Sequence, residues 1–274
     1  PEHWTSIQTL DAHTGGEPFR IVSSGFPDIP GNSILEKRRY LAEHLDHLRT
    51  ALMWEPRGHA DMYGCLVTAA VNPLADIGVL FMHNAGYSTM CGHGIIALAT
   101  VLLETGILPV QEPETRLVIE TPAGLVTAGA RVQGSRVKSV AFENVPCFVL
   151  TEQERIQVPG LGRVTYSIAY GGAFYALVDA EELGITLSSA AFRRIIDLGQ
   201  TITEAIMAAR PVVHPFESDL SFLYGTIFVG PAAAKENHSR NVCVFADGEV
   251  DRSPTGTGVS ARLAYHFKRG DIGI

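Results

Sequence analysis

The sequence predicts an α/β protein built from two similar halves, each of which places strands around one largely apolar helix. Two segments with the same glycine pattern support this prediction: CGHGIIALATVLLETG at 91–106 and TGTGVSARLAYHFKRG at 255–270. Each segment contains G-x-G-x-x-Ala and ends on a further glycine. A chain of 274 residues is also long enough for two domains. We expect the halves to be residues 1–135 and 136–274.

Strands and helices alternate along the first half. The opening residues predict two strands around the turn at 14–16, and the apolar periodicity of residues 34–52 predicts one helix. Strand-like runs at 63–71 and 76–82 lead to the first glycine segment, whose IIALATVLL is apolar nearly all round. That composition is typical of a helix enclosed by β-structure. Short strands punctuated by Gly and Pro at 117–145 predict a β-meander.

The second half repeats this plan. Strands are predicted at 164–169 and 174–178, and a helix with a serine N-cap is predicted at 188–208. Further strands at 222–229 and 241–245 lead to the second glycine segment. Each half is therefore predicted to contain one long surface helix and one helix that opens with glycine.

Composition excludes several classes of function. With 46% hydrophobic and 18% charged residues, the chain has an ordinary globular composition. The net charge of −8 argues against nucleic acid or an anionic membrane as the main partner. No apolar run reaches the ~20 residues of a membrane span, and the first residues lack a signal-peptide pattern. We expect a cytoplasmic protein, and we expect that C-terminal residues are missing because the chain stops where a strand begins.

The four cysteines are far apart and include no CxxC pair. Cys65, Cys91, Cys147 and Cys243 are therefore expected to be reduced thiols. Structural zinc sites usually show clustered ligand pairs, so no metal is expected. Of the four, only Cys91 lies at a predicted helix start, and the other three are expected to be structural.

Cys91 is the candidate catalytic residue of the first glycine segment. A cysteine at a helix N-terminus gains thiolate character from the helix dipole and the unpaired amides. Gly92 and Gly94 let a ligand carboxylate approach these N–H groups closely. The same donors would stabilise the oxyanion formed when a base removes the adjacent Cα proton. His93 is expected either to donate to this carboxylate or to satisfy a backbone carbonyl.

The second glycine segment carries Thr255 where the first carries Cys91. Asp251, four residues earlier, is expected either to pair with a protonated amine on the ligand or to form a turn. A dinucleotide-binding site is an alternative explanation of Gly92-x-Gly94-x-x-Ala97. Such a site needs a strand that runs directly into the glycines, whereas the nearest predicted strand ends about eight residues before Cys91. It also gives no reason for a second glycine segment. A purely structural role for the glycines is the remaining alternative.

Four segments together resemble the proline racemase family. They are DAHTGGEP at 11–18, EPRGHADMYG at 55–64, MCGHG at 90–94 and DRSPTGTG at 251–258. The resemblance spans essentially the whole chain. It implies a fold similar to that of diaminopimelate epimerase, with two α/β domains, each a β-barrel-like sheet around a central helix, and the site between them. It implies neither a cofactor nor a metal.

The resemblance also implies roles for individual residues. Enzymes of this family use one cysteine on each face of the substrate Cα, and Cys91 matches one of them. The substrate-binding residues implied are Gly92, His93, Asp251, Gly256 and Thr257. The chain departs from the two-cysteine pattern at Thr255, whose hydroxyl titrates far above pH 7 and is no general acid–base.

The Cys/Thr combination resembles the trans-3-hydroxy-L-proline dehydratase branch of the family. There one thiolate removes the Cα proton, the C3 hydroxyl leaves as water, and the enamine becomes Δ1-pyrroline-2-carboxylate. Two alternatives remain open at this point: an epimerase or racemase of 4-hydroxyproline or proline, and a non-catalytic imino-acid-binding protein. The expected partner is a small imino acid, and a homodimer is the commonest assembly for such enzymes.

Overall fold

The computed structural model describes residues 4–273. The chain divides into two compact units, residues 1–145 and 146–274. The division therefore falls after residue 145 and not after residue 135, the expected point. The reason is that a strand at Arg136–Glu143 pairs with the strand before it and so completes the sheet of the first unit.

The first unit contains a seven-stranded sheet whose order follows the chain. Its strands are β1 (Gln8–Thr14), β2 (Glu17–Ser24), β3 (Tyr63–Thr68), β4 (Ile77–His83), β5 (Glu114–Thr121), β6 (Gly124–Gln133) and β7 (Arg136–Glu143). Its helices are α1 (Ile34–His44), α2 (Asp46–Met53) and α3 (Gly92–Glu104). The pairs β2/β3 and β4/β5 are parallel and the rest antiparallel. Helices connect both parallel pairs, because a parallel pair needs a crossover.

Helix α3 is the central helix of the first unit. It contacts β1, β2, β6 and β7, which lie at the two edges of the sheet, so the sheet curves around it. Ile95 and Leu98 on this helix are fully buried. The expectation that IIALATVLL forms a helix enclosed by strands is confirmed.

The single helix predicted at 34–52 is two helices in the structure. Leu45 leaves helical geometry with φ −123° and ψ 12°, and α1 ends there. Helix α2 begins after the break, and its buried Arg49 donates a hydrogen bond to the carbonyl oxygen of His83 at the end of β4. Periodicity alone did not reveal the break, because apolar residues continue on both sides of it.

The second unit contains a six-stranded sheet in the order β13-β12-β11-β10-β9-β8. Its strands are β8 (Phe148–Val158), β9 (Gly162–Tyr170), β10 (Phe174–Asp179), β11 (Leu223–Gly230), β12 (Arg240–Phe245) and β13 (Glu249–Val250). Helix α4 (Phe192–Ala209) connects the parallel pair β10/β11, and α5 (Gly256–Arg269) follows β13.

The two units repeat one order of elements. In the first unit, β2 is connected by α1 and α2 to its parallel neighbour β3, and the antiparallel strand β4 then leads to α3. In the second unit, β10 is connected by α4 to its parallel neighbour β11, and the antiparallel strand β12 comes before α5. The predicted internal repeat is therefore confirmed at the level of topology. Helix α5 is less enclosed than α3, since Leu263 and Phe267 are about half exposed.

Two local features of the second unit were not predicted correctly. The sequence analysis missed β8, a polar strand at the sheet edge whose register shifts around Thr151. Ser188 makes no capping hydrogen bond to a helix, because a short 3-10 turn at Ser189–Ala191 separates it from α4.

Gly199 tests how closely α4 packs on its sheet. A Cβ atom at this buried glycine would lie 2.6 Å from Cβ of Val244 on β12 and 2.9 Å from each of its methyl groups. We predict that Gly199→Ala lowers the free energy of unfolding by about 1–3 kcal/mol, although alanine normally favours helix. Urea unfolding measures the change. The control Glu204→Ala, at an exposed position of α4, should change stability by less than about 0.5 kcal/mol, and equal effects would contradict this packing.

Candidate active site

Cys91 caps the N-terminus of α3. It has extended geometry, with φ −146° and ψ 110°, and its Sγ accepts a hydrogen bond from the Gly94 amide at 3.3 Å. The side chain is buried, with 5% of its surface exposed. Because the helix dipole and this amide both favour negative charge on sulfur, the position favours a thiolate.

The imidazole of His93 lies directly against this thiol. Its Nδ1 is 3.2 Å from Cys91 Sγ and its Nε2 is 3.6 Å away. His93 is 7% exposed. The contact lets the imidazole exchange a proton with the sulfur. Sequence reasoning considered a ligand or a carbonyl as the partner of His93 and did not anticipate the thiol.

Residues from distant segments hold His93 in place. The rings of Phe19 and Tyr63 contact the imidazole edge-on, with centroids 5.6 Å and 5.0 Å away. The Thr14 hydroxyl donates to the His93 carbonyl oxygen at 3.0 Å. Thr14 belongs to the motif at 11–18 and Tyr63 to the motif at 55–64, so two of the sequence motifs meet at His93. Motif membership was the only sequence signal for these two residues, and Phe19, which follows the first motif, had none.

Thr255 occupies the N-cap position of α5 in a different conformation from that of Cys91. Its φ of 59° and ψ of 73° lie in the left-handed region, which is unusual for a β-branched residue. Its hydroxyl makes no capping hydrogen bond, so the first amides of α5 receive no side-chain acceptor from it. Its buried Oγ1 has no regular hydrogen bond within the described residues, but the buried Cys243 thiol lies close enough to interact with it. The internal repeat therefore does not extend to the geometry of the two caps.

Asp251 organises the turn that leads into α5. Its Oδ1 accepts a hydrogen bond from the Ser253 amide at 2.8 Å, and the Ser253 hydroxyl accepts one from the Thr255 amide at 3.0 Å. This is the turn-forming role that the sequence analysis considered. The side chain is half-buried, and its other carboxylate oxygen makes no hydrogen bond in the described part of the chain.

A second thiol, Cys243, lies near this turn. Its carbonyl oxygen accepts a hydrogen bond from the Asp251 amide at 3.2 Å. Burial raises the pKa of the Cys243 thiol well above its ordinary value, and the charge of Asp251 raises it further. Burial likewise raises the pKa of Cys65. Both thiols therefore stay protonated near pH 7, as structural cysteines should.

Gly256 and Thr257 open α5. Thr257 is buried, and its hydroxyl lies 2.7 Å from the phenol oxygen of Tyr175.

Among residues 4–273, no group of three or more His, Cys, Asp or Glu side chains is arranged to hold a metal ion. No helix in the same range is long and apolar enough to cross a membrane.

Comparison with known proteins shows the family to which this chain belongs. The family model described as proline racemase matches residues 9–274. This chain belongs to the proline racemase family. Its fold is the diaminopimelate-epimerase-like fold that the sequence analysis expected.

Similar proteins include dehydratases and an epimerase. The chain is 46% identical to a trans-3-hydroxy-L-proline dehydratase of Colwellia psychrerythraea, over 99% of this chain and 76% of that protein. It is 48% identical to a trans-3-hydroxy-L-proline dehydratase of Homo sapiens, over 96% and 76%. A solved hydroxyproline epimerase of Agrobacterium vitis, with bound trans-4-hydroxy-L-proline, has a TM-score of 0.93 and is 33% identical over 97% of this chain and 78% of that one.

Gly94 tests how tightly Cys91 is held. A Cβ atom there would lie 2.6 Å from Cε2 of Phe19 and 3.0 Å from Cys91 Sγ. We predict that Gly94→Ala displaces both side chains and destabilises the protein by about 1–3 kcal/mol.

The matched control is Gly258→Ala at the equivalent position of α5. The new Cβ would lie 2.4 Å from Cδ1 of Ile227 and 2.9 Å from Cγ2 of Thr255. Because the first atom is the end of a flexible side chain, whereas Gly94 faces the rigid ring of Phe19, we expect a smaller loss. Thermal unfolding of both variants, together with the rate at which iodoacetamide alkylates Cys91, measures the difference. A larger loss in Gly258→Ala would contradict the tight packing around Cys91.

Proposed function

We propose that this protein dehydrates trans-3-hydroxy-L-proline to Δ1-pyrroline-2-carboxylate. The observation that carries the proposal is one thiol at a helix N-terminus, Cys91 in contact with His93, in a chain whose second glycine segment offers Thr255 and no thiol. The relatives named as dehydratases of this substrate, at 46–48% identity over nearly the whole chain, support it.

Cys91 begins the reaction. His93 takes the thiol proton, and the thiolate then removes the proton from the substrate Cα. The electron pair forms a double bond between Cα and C3, and the C3–O bond breaks. The leaving hydroxide takes the proton that His93 holds, so the net loss is one water, and Cys91 and His93 are both regenerated. The enamine then gains a proton at C3 and loses one from nitrogen, which gives the cyclic imine.

The substrate carboxylate is proposed to bind at amides of the glycine segments. The proposed binding residues are Gly92, His93, Gly256 and Thr257, since each lies at a helix N-terminus and such ends bind anions well. A carboxylate held this way is a better electron sink when the Cα proton leaves. The free oxygen of Asp251 is proposed to accept a hydrogen bond from the ring ammonium.

Thr255 distinguishes dehydration from epimerisation. Inversion by two bases requires a group on the second face that can donate a proton near pH 7, and a threonine hydroxyl cannot. Cys243 does not replace it, because its buried thiol has a strongly raised pKa. We propose that the buried Thr255 hydroxyl forms a hydrogen bond on that face, to an ordered water. The second candidate function, epimerisation of 4-hydroxyproline, is favoured by the likeness to the Agrobacterium vitis epimerase.

Several expectations stay predictions. They are a homodimer, a cytoplasmic location and the absence of a cofactor. The proposed mechanism is consistent with the last, because the carboxylate contacts and the ring ammonium together stabilise the carbanion.

Replacing Cys91 tests the proposed base. We predict that Cys91→Ser lowers the dehydration rate at least 10²- to 10⁴-fold, the usual order of magnitude for a lost general base. Sodium borodeuteride reduces the cyclic imine to proline that carries deuterium at Cα, so mass spectrometry counts the product. Cys147→Ser, at the exposed cysteine, is the control and should keep the wild-type rate. A Cys91→Ser protein with wild-type turnover would refute the role of Cys91.

Replacing Thr255 by cysteine tests the second face. We predict that Thr255→Cys gains measurable inversion of L-proline or trans-4-hydroxy-L-proline, because it supplies a thiol that can protonate that face. Chiral chromatography detects the D-configured product. Ser260→Cys, one turn further along α5, is the control and should show none. Inversion by both variants, or by neither, would contradict the proposed position of Thr255.

A further inference from the structure

Tyr175 joins the centre of the second sheet to the first turn of α5. It lies on β10, between Ala169 of β9 and Gly225 of β11. The side chain is 1% exposed, and its phenol oxygen is 2.7 Å from the hydroxyl oxygen of Thr257, itself 4% exposed. A buried hydroxyl costs free energy unless it is paired, so these two groups depend on each other.

The same turn of α5 touches the sheet at a second point. A Cβ atom on Gly171 would lie only 2.2 Å from the carbonyl oxygen of Thr257 and 2.6 Å from the amide nitrogen of Ala261. The backbone of α5 thus packs directly on the turn before β10. Two contacts, one through side chains and one through backbone, set the position of the helix start.

This anchoring matters because Thr255 does not cap α5. In the first unit the Cys91 sulfur accepts a hydrogen bond from the helix start, whereas the Thr255 hydroxyl makes no such bond. The opening turn of α5 therefore takes its orientation from other contacts. Burial raises the pKa of Tyr175 well above its usual range, so its phenol keeps its proton and remains able to donate to Thr257.

We propose that Tyr175 is a positioning residue for substrate binding: through the Thr257 hydroxyl it orients the Gly256 and Thr257 amides that receive the substrate carboxylate. This inference rests on the proposed function. Tyr175 itself touches no substrate. Its hydroxyl fixes the direction of the amides, so its removal weakens binding and leaves the proton transfer at Cys91 unchanged.

The test is binding of trans-3-hydroxy-L-proline to a protein that cannot turn it over. In a Cys91→Ser background, we predict that Tyr175→Phe raises the dissociation constant about 3- to 10-fold, the equivalent of one lost hydrogen bond. In the Cys91 protein the same substitution should raise KM by a similar factor and leave kcat within about twofold. Calorimetry and steady-state kinetics measure these quantities.

Two further variants separate positioning from general stability. Tyr166→Phe also removes a buried phenol hydroxyl in this unit, one that donates to Glu154 and not to α5, and it should bind the substrate as well as wild type. Thr257→Val should weaken binding like Tyr175→Phe, and the double variant should be no weaker than either single one. Additive losses, or equal losses in Tyr166→Phe and Tyr175→Phe, would overturn the inference.

The results also separate this inference from the proposed function. If the Cys91→Ser protein binds the substrate but the Cys91 protein does not dehydrate it, the proposed function fails and the binding comparison still decides the role of Tyr175. If neither protein binds the substrate, the inference fails together with the proposed function.

Discussion

The contact between the Cys91 thiol and the His93 imidazole is the interaction on which the proposed chemistry depends. A thiol removes a Cα proton only as a thiolate, and here the helix dipole, the Gly94 amide and the adjacent imidazole all favour that form. The rest of the first unit maintains this contact. The sheet curves around α3, and the ring of Phe19 packs so closely against Gly94 that a larger residue there would clash with it.

The second unit repeats the topology of the first without repeating its chemistry. Both units lead from an antiparallel strand to a glycine-opened helix, yet one helix is capped by a cysteine that accepts a hydrogen bond and the other by a left-handed threonine that does not. A duplicated fold thus carries two unequal helix starts. Only the first helix start carries a thiol, which suits a reaction that removes one proton from the Cα and returns none.

Much of this arrangement was predictable from local sequence. The glycine pattern located both helix starts, since close backbone approach at such positions requires glycine, and apolar composition indicated that α3 is enclosed. The His93–Cys91 contact was not predictable, because it depends on side chains such as Phe19 that arrive from distant segments. The left-handed Thr255 was not predictable either, because a β-branched residue rarely adopts that conformation. The same holds for the break at Leu45 and for β8, where tertiary packing overrides the local pattern.

The measurement that tests the central claim most directly is an NMR time course of the protein with trans-3-hydroxy-L-proline in D2O, beside L-proline and trans-4-hydroxy-L-proline. The one-thiol account predicts that the first compound loses its C3 hydroxyl and yields the pyrroline carboxylate, while the other two keep their configuration. Inversion of proline or 4-hydroxyproline, with no dehydration of the 3-hydroxy compound, would contradict it and identify the protein as an epimerase.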